Sequence, residues 1–347
     1  VADPVLQRRK QRWLEFYNLS SSRRVAYLIR YSPELPPRPL PTPDRVPERI
    51  EWIWQNYVYH LRRMDWLEDD TLPCIDMLTG TEIFAEAFGC RILYPADNNP
   101  APFPLIHNAA EAEALRIPSL DVPPLRRVFE MADELSRRAG PGALFRLVDM
   151  QCPLDVAAMM WDKLDFYPAL VKHPEAVASL VEKITALQFS FLDEWYCRYG
   201  TEFVAHYPDY YMPCGVTLSL DEIGAVSGKM FLKYFLPHLN RFSERYGGLG
   251  IHCCAHARHQ WEHIKKVTGL RLLNINNQGK MVEEAYSFFA DFVAQWHYDQ
   301  SPVPLTPLEW MEEIPVDAHV VLDINVNSRA EALKASEQAS LWNEYHE

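Results

Sequence analysis

The sequence predicts an α/β fold on parallel strands, most simply one (β/α)8 barrel, and three observations predict it. Short apolar runs alternate with amphipathic helical stretches nearly everywhere from residue 140 onward, as expected where each strand crosses back through a helix to the next. The 347 residues are 48% hydrophobic and 23% charged, the balance of a globular chain with a large core, and one barrel commonly fills that length. No fixed-period repeat, low-complexity segment or compositional break divides the chain. The expected organisation is a single domain over residues 1–347, with 1–66 as an N-terminal helical and loop extension.

Taken in order, "DPVLQRRKQRWLEFYN" has the apolar spacing of an amphipathic helix, and "RRVAYLIR" is a short apolar run suited to a buried strand. The prolines of "YSPELPPRPLPTPD" fix φ and remove donors, so a loop is expected there before the helical pattern "VPERIEWIWQNYVYHLRRMDWL". "TEIFAEAFG" predicts a short helix stopped by Gly89, followed by a strand "CRILYP" and another proline-rich loop. "DVPPLRRVFEMADELSRRAG" has Pro in its first turn and Gly at its end, which bound a helix, and "ALFRLVDMQ" predicts a strand. Helices are expected over most of 153–200. Beyond them, "SGKMFLKYFLPHLNRFSERYGG", "ARHQWEHIKKVTG", "VEEAYSFFADFVAQW" and "SRAEALKASEQA" predict helices, interleaved with strands "LGIHCC", "LRLLNINN" and "HVVLDINV".

The formal charge of −13, with no Lys/Arg cluster, excludes a nucleic-acid surface, because phosphate binding needs clustered cations. No apolar run approaches the roughly 20 residues a membrane helix needs, and no leader pattern is seen, so a cytoplasmic location is expected. Seven scattered cysteines, an odd number without regular spacing, are expected to be reduced thiols, most of them small core residues.

In a (β/α)8 barrel the chemistry sits where strands end at their C-terminal side, which draws attention to "LGIHCC". Alternate strand residues share a face, so His252 and Cys254 point one way and Cys253 the other. An imidazole and a thiolate together suit zinc better than magnesium or calcium, although a buried histidine beside core cysteines has the same pattern. On the next helix, His259 and His263 are four apart, but Gln260 stands where a zinc protease sets its Glu, and the face is better read as solvated. In "SLDEIG", Asp221 and Glu222 suit helix-end electrostatics, metal ligation or acid–base work. Asp149 ends "RLVDMQ", and "EFVAHYPDYY" sets His206 and Asp209 among aromatics; each equally suits a strand-end turn.

Four ordered stretches, "GTEIFAEAFGCRILYP", "RLVDMQCPLDVAAMMW", "LSLDEIGAVSGKMFLKYFLPHLNRF" and "GIHCCAHARHQWEHIKKVTGLRLLNINNQG", resemble the uroporphyrinogen decarboxylase superfamily, and most closely its cobalamin-dependent methyltransferases. The resemblance runs from about residue 70 to 280 and implies a (β/α)8 barrel with a deep C-terminal pocket. True decarboxylases of this superfamily use no metal and carry an arginine-rich N-terminal motif, to which only Arg30, Tyr31 and Arg38 correspond here. The methyltransferases bind zinc through His-x-Cys at a strand end and a distal Cys. His252 and Cys254 match the first pair, whereas no cysteine follows Cys254.

The resemblance therefore implies a zinc-dependent methyltransferase whose third ligand is replaced. Glu222, His206 or Asp323, at the end of "HVVLDINV", could replace it, and each would leave the metal a stronger Lewis acid than a second thiolate would. Such a site suits demethylation of a methoxylated or other methylated small molecule, with a corrinoid protein's cobalt(I) accepting the methyl group. Asp149, Asp221 and Glu222 are the candidate acid–base residues. Glu222 is the candidate general acid if burial raises its pKa, and His206, Tyr207, Tyr210, Tyr211 and Trp296 are expected to wall an apolar substrate pocket. The chain has no Asp-x-His-x-x-Gly corrinoid motif, so cobalamin is expected on a separate corrinoid protein. A homodimer is compatible with the sequence, which shows no self-complementary patch. The alternatives are a metal-independent decarboxylase of a porphyrinogen-like or other carboxylated substrate, and a non-catalytic binding barrel.

Overall fold

A computed structural model describes residues 3–31, 35–96, 98–277, 279–299, 315 and 317–346. Six parallel strands form most of a ring: β1 (Val25–Arg30), then β9 (Val320–Asn325), β8 (Ala294–Gln295), β7 (Leu270–Asn277), β6 (Leu249–Cys253) and β5 (Val216–Ser219). β1, β5 and β6 are buried almost along their whole length, as expected of parallel strands covered on both faces. The ring continues past β5 through a Gln151–Ser219 bridge to the 145–151 segment, whose start is β2 (Phe145–Arg146), and through an Ile75–Phe145 bridge to the segment before it. The architecture is a (β/α)8 barrel, as the alternation predicts.

The seam between β1 and residues 69–75 has a single backbone hydrogen bond, from Asp70 N to Tyr27 O at 2.9 Å. Side chains supply the rest: Asp70 Oδ2 accepts from Tyr27 N at 2.9 Å and Asp69 Oδ2 from Ile29 N at 3.2 Å. Both carboxylates are buried, and a buried carboxylate is tolerable only if paired and hydrogen-bonded. Helix α1 (Pro4–Tyr17) provides Arg9 to Asp69 at 2.8 Å and Arg12 to Asp70 at 2.7 Å. Helix α2 (Val46–Arg63) provides Arg63 to Asp69 at 2.6 Å, and Arg23 completes the set on Asp70. The segment 1–66 is thus more than an extension, since β1 is a strand of the barrel and the two helices carry the charges that close it.

Other departures from the sequence reading have local causes. "ALFRLVDMQ" pairs in two short pieces, because Phe145 and Arg146 bond to β3 (Phe203–Val204), which turns back as an antiparallel hairpin into β4 (Tyr211–Met212). "CRILYP" contributes only Ile92–Leu93, in a two-stranded ribbon with Ala101–Pro102 outside the ring. The helix expected over 257–269 shrinks to Trp261–Ile264 behind a 3-10 turn, where the buried Gln260 amide donates to the carbonyls of Ile223 and Val226. The helix expected through Trp296 ends at Phe288, since Gln295 joins β8 and its side chain caps Tyr286 O at 3.1 Å. Part of the proline-rich loop, residues 32–34, lies outside the described residues. No helix among the described residues is long and apolar enough to cross a membrane.

The seam gives a direct test. Asp69→Asn removes the charge shared by Arg9 and Arg63 and leaves two buried guanidiniums facing a neutral amide. A loss of about 3–5 kcal/mol is expected, read as a lower urea midpoint at unchanged slope; a loss below about 1 kcal/mol would show the seam to be held otherwise.

Candidate metal and substrate site

Strand register places one polar residue on each of four neighbouring strands at the same level: Gln151 faces Ser219, Ser219 faces His252, and His252 faces Asn274. Gln151, Ser219 and His252 line a cavity of about 500 Å³ at the C-terminal ends of the strands. Its wall also includes Arg38, Asp76, Arg146, Asp149, His206, Tyr207, Asp221 and Cys254.

The side chains of Asp221, His252 and Cys254 converge there, with their donor atoms within 4.8 Å of one another. His252 Nδ1 lies 2.5 Å from Asn274 Oδ1, and the Asn274 amide donates to the carbonyl of Trp296. With the amide nitrogen so engaged, its oxygen faces the ring. Nδ1 therefore carries the proton, and Nε2 keeps its lone pair for a ligand. Asp221 is fixed from both sides: its own N–H and that of Glu222 donate to Asp155 Oδ1 at 2.8 and 2.6 Å, and its Oδ1 accepts from Cys254 N at 2.8 Å. Burial, then the hydrogen bond to Asp221 and its charge, push the Cys254 thiol up to about 12. A bound cation would reverse that, because it stabilises the thiolate directly. One imidazole, one thiol and one carboxylate form a donor set that fits zinc.

The remaining candidates separate clearly. Glu222 turns away from this group to Lys163 at 2.7 Å and to Tyr167. Asp323 is held by Arg30 at 2.6 Å and Tyr298 at 2.9 Å. Neither joins the donors, so the third side chain beside His252 and Cys254 is Asp221, for which the sequence left helix-end electrostatics, metal ligation and acid–base work open and which it did not name as the replacement ligand. Of the expected wall, His206 and Tyr207 line the cavity, the Tyr207 ring edge-on to His252 at 4.7 Å. Tyr210, Tyr211 and Trp296 are core residues instead, at 1%, 2% and 1% exposure. Tyr210 is locked there by glycine, since a Cβ on Gly250 would sit 1.9 Å from its hydroxyl. The pocket wall is polar as a result.

The turn joining β3 to β4 delivers His206, Tyr207 and Asp209 to this end of the barrel. His206 is clamped by Thr217 Oγ1 at 2.9 Å and Ser219 Oγ at 3.1 Å, and burial, aided by the nearby Arg146 guanidinium, lowers its pKa to about 3. Asp149 receives Gln151 Nε2 at 2.7 Å, and burial pushes its carboxyl up to about 6. Asp209 bridges Arg30, with two bonds of 2.8 Å, and Arg146 at 3.4 Å; burial opposes its charge, but the two guanidiniums hold it well below the usual carboxylate range. Arg146 also pairs with Asp76 at 2.9 Å. Sequence reasoning missed Asn274, Asp155, Gln151, Asp76 and Arg146, which act through neighbours that only the barrel register brings together. The alternation of "LRLLNINN" was the one available signal for Asn274.

Residues 74–301 match the family model described as uroporphyrinogen decarboxylase (URO-D). Comparison with curated proteins gives no match. Among solved structures, the chain is similar to a methyltransferase from Methanosarcina mazei, at 13% identity and a TM-score of 0.60, over 84% of this chain and 86% of that one. At that identity the likeness is one of fold.

Behind the cavity wall, Glu82 is 4% exposed and its Oε2 lies 2.6 Å from where a Cβ on Gly80 would stand. Burial pushes its carboxyl from the usual range up to about 7. The folded chain keeps this proton where the unfolded chain has lost it, so Glu82 weakens folding progressively as pH rises to about 7 and no further above. Glu82→Gln has no proton to release. Urea unfolding should show the variant gaining on the wild type between about pH 5 and pH 8; a difference that stays constant with pH would refute this.

Proposed function

The chain belongs to the uroporphyrinogen decarboxylase (URO-D) family, and from that premise we propose that it is a methyltransferase. In this reading it moves a methyl group between a small methylated molecule, best a methoxylated one, and the cobalt of a separate corrinoid protein. Zinc would be held by Asp221, His252 and Cys254. The observation that carries the reading is this donor group, with the free lone pair of His252 Nε2 turned into a polar cavity. The fold shared with a methyltransferase supports it.

When bound, zinc would supply Lewis acidity that polarises the leaving heteroatom. A ligand set with one thiolate in place of two leaves a harder metal, which favours oxygen over sulfur as that atom. The chain's own residues do the rest. Asn274 fixes the His252 tautomer, Asp155 fixes Asp221, and Tyr207 closes one side of the cavity next to His252. Polar groups on the wall orient a substrate through hydrogen bonds.

Metal-free decarboxylation of a porphyrinogen-like substrate is less well served. Of the two guanidiniums on the wall, Arg146 is already engaged by Asp76 and Asp209, which leaves Arg38 alone to meet several carboxylates.

Protein prepared without chelator is expected to contain about one zinc per chain, matching the single donor group among the described residues. Asn274→Ala should weaken zinc binding by roughly 10–100-fold in chelator competition, the usual loss when a ligand's orienting partner is removed. His252→Ala should weaken it further. Zinc-free protein, together with wild-type behaviour of His252→Ala, would end the proposal.

A further inference from the structure

The cavity wall carries three carboxyl groups, and their surroundings give them different work. Asp76 is paired with Arg146 at 2.9 Å and accepts Leu78 N at 2.9 Å. Asp221 belongs to the donor group and clamps Cys254. Asp149 has no Lys or Arg partner among the described residues, and unlike Asp221 it is outside the donor group. Its Oδ1 accepts from the neutral Gln151 amide at 2.7 Å and lies 3.5 Å from His206 Nε2, on a ring that burial keeps neutral. Its own N–H is tied to Thr79 Oγ1 at 3.1 Å, so the backbone beneath the carboxyl is fixed. No protein donor occupies Oδ2 among the described residues. Glu222, the general acid expected from sequence, sits outside the cavity wall with Lys163 and Tyr167 on its two oxygens.

Resting on the methyltransferase reading above, we propose that Asp149 is the catalytic proton donor to the oxygen released when the methyl group leaves, with His206 and Gln151 as positioning residues. The carbon–oxygen bond of an ether R–O–CH3 breaks with its electron pair on oxygen, and that oxygen takes the Asp149 proton to depart as R–OH. The methyl group passes to cobalt(I) of the corrinoid, whose electron pair forms the new cobalt–carbon bond as the metal becomes cobalt(III). Asp149 is left as carboxylate and regains a proton from solvent. Three features of the site support the assignment. A carboxyl facing neutral partners keeps its proton more readily than one facing a guanidinium. The group lines the same cavity wall as the donors Asp221, His252 and Cys254. The four-strand polar belt ends at Gln151, which holds it.

The test uses the zinc-loaded full chain with cob(I)alamin as methyl acceptor, following methylcob(III)alamin by absorbance, and a panel of 4-nitroanisole, anisole and a dialkyl methyl ether. Asp149→Asn should lose roughly 10²–10⁴-fold on anisole and on the dialkyl ether. On 4-nitroanisole, whose phenolate leaves without needing a proton, it should lose little. Asp149→Glu should restore part of the rate on the poorer leaving groups. Zinc content and near-ultraviolet circular dichroism, measured on both variants, should match the wild type. An equal loss across the panel, or no loss at all, overturns the assignment while the methyltransferase reading stands. A wild type that binds zinc but demethylates no ether overturns the oxygen reading, and Asp149's role with it.

Discussion

Two adjacent carboxylates hold the barrel shut. Asp69 and Asp70 occupy the place of a strand beside β1 and accept its N–H groups with side-chain oxygens. Because neither could remain charged in the interior alone, arginines from α1, α2 and the intervening loop surround them. The consequence reaches the cavity. β1 ends at Arg30, whose guanidinium grips Asp209, and Asp209 anchors the turn that carries His206 and Tyr207. Closure of the ring and placement of the polar wall rest on two clusters of ion pairs joined by the backbone of β1.

Within the site, order comes from hydrogen bonds rather than ion pairs. Each donor facing the cavity has a partner behind it that leaves one orientation open: Asn274 for His252, Asp155 for Asp221, and Asp221 for the backbone of Cys254. Preorganisation of this kind lets a cation bind without first rearranging the protein. Asp155 is notable because it is buried with three donors and no cation, and burial pushes its carboxyl up to about 8.

Much of the fold could be read from the sequence because strand and helix periods differ and prolines and glycines mark the ends. β1, β6, β7 and β9 fall where apolar runs predict them. Sequence reading failed where tertiary contacts overrule local pattern, as at Gln260 and Gln295, and where a hairpin interrupts the parallel order at β3 and β4. At the candidate site, the alternation of a strand was enough to pair His252 with Cys254. It could not choose between Asp221 and Glu222, because that choice depends on Lys163 and Tyr167 arriving from a distant helix. Nor could it sort the aromatics, since the Tyr210 hydroxyl is buried in the room that Gly250 leaves, a contact that the strand pattern does not show.

The three convergent donors come from the ends of two adjacent strands, β5 and β6, while the outer rim near Arg38 and Asn99 is built from loops between other elements. The reactive centre and the rim can therefore diversify separately. Descendants of this scaffold could lengthen or recolour the loops near residues 38 and 99, and so exchange one guest for another, while the same three-atom cradle is inherited intact.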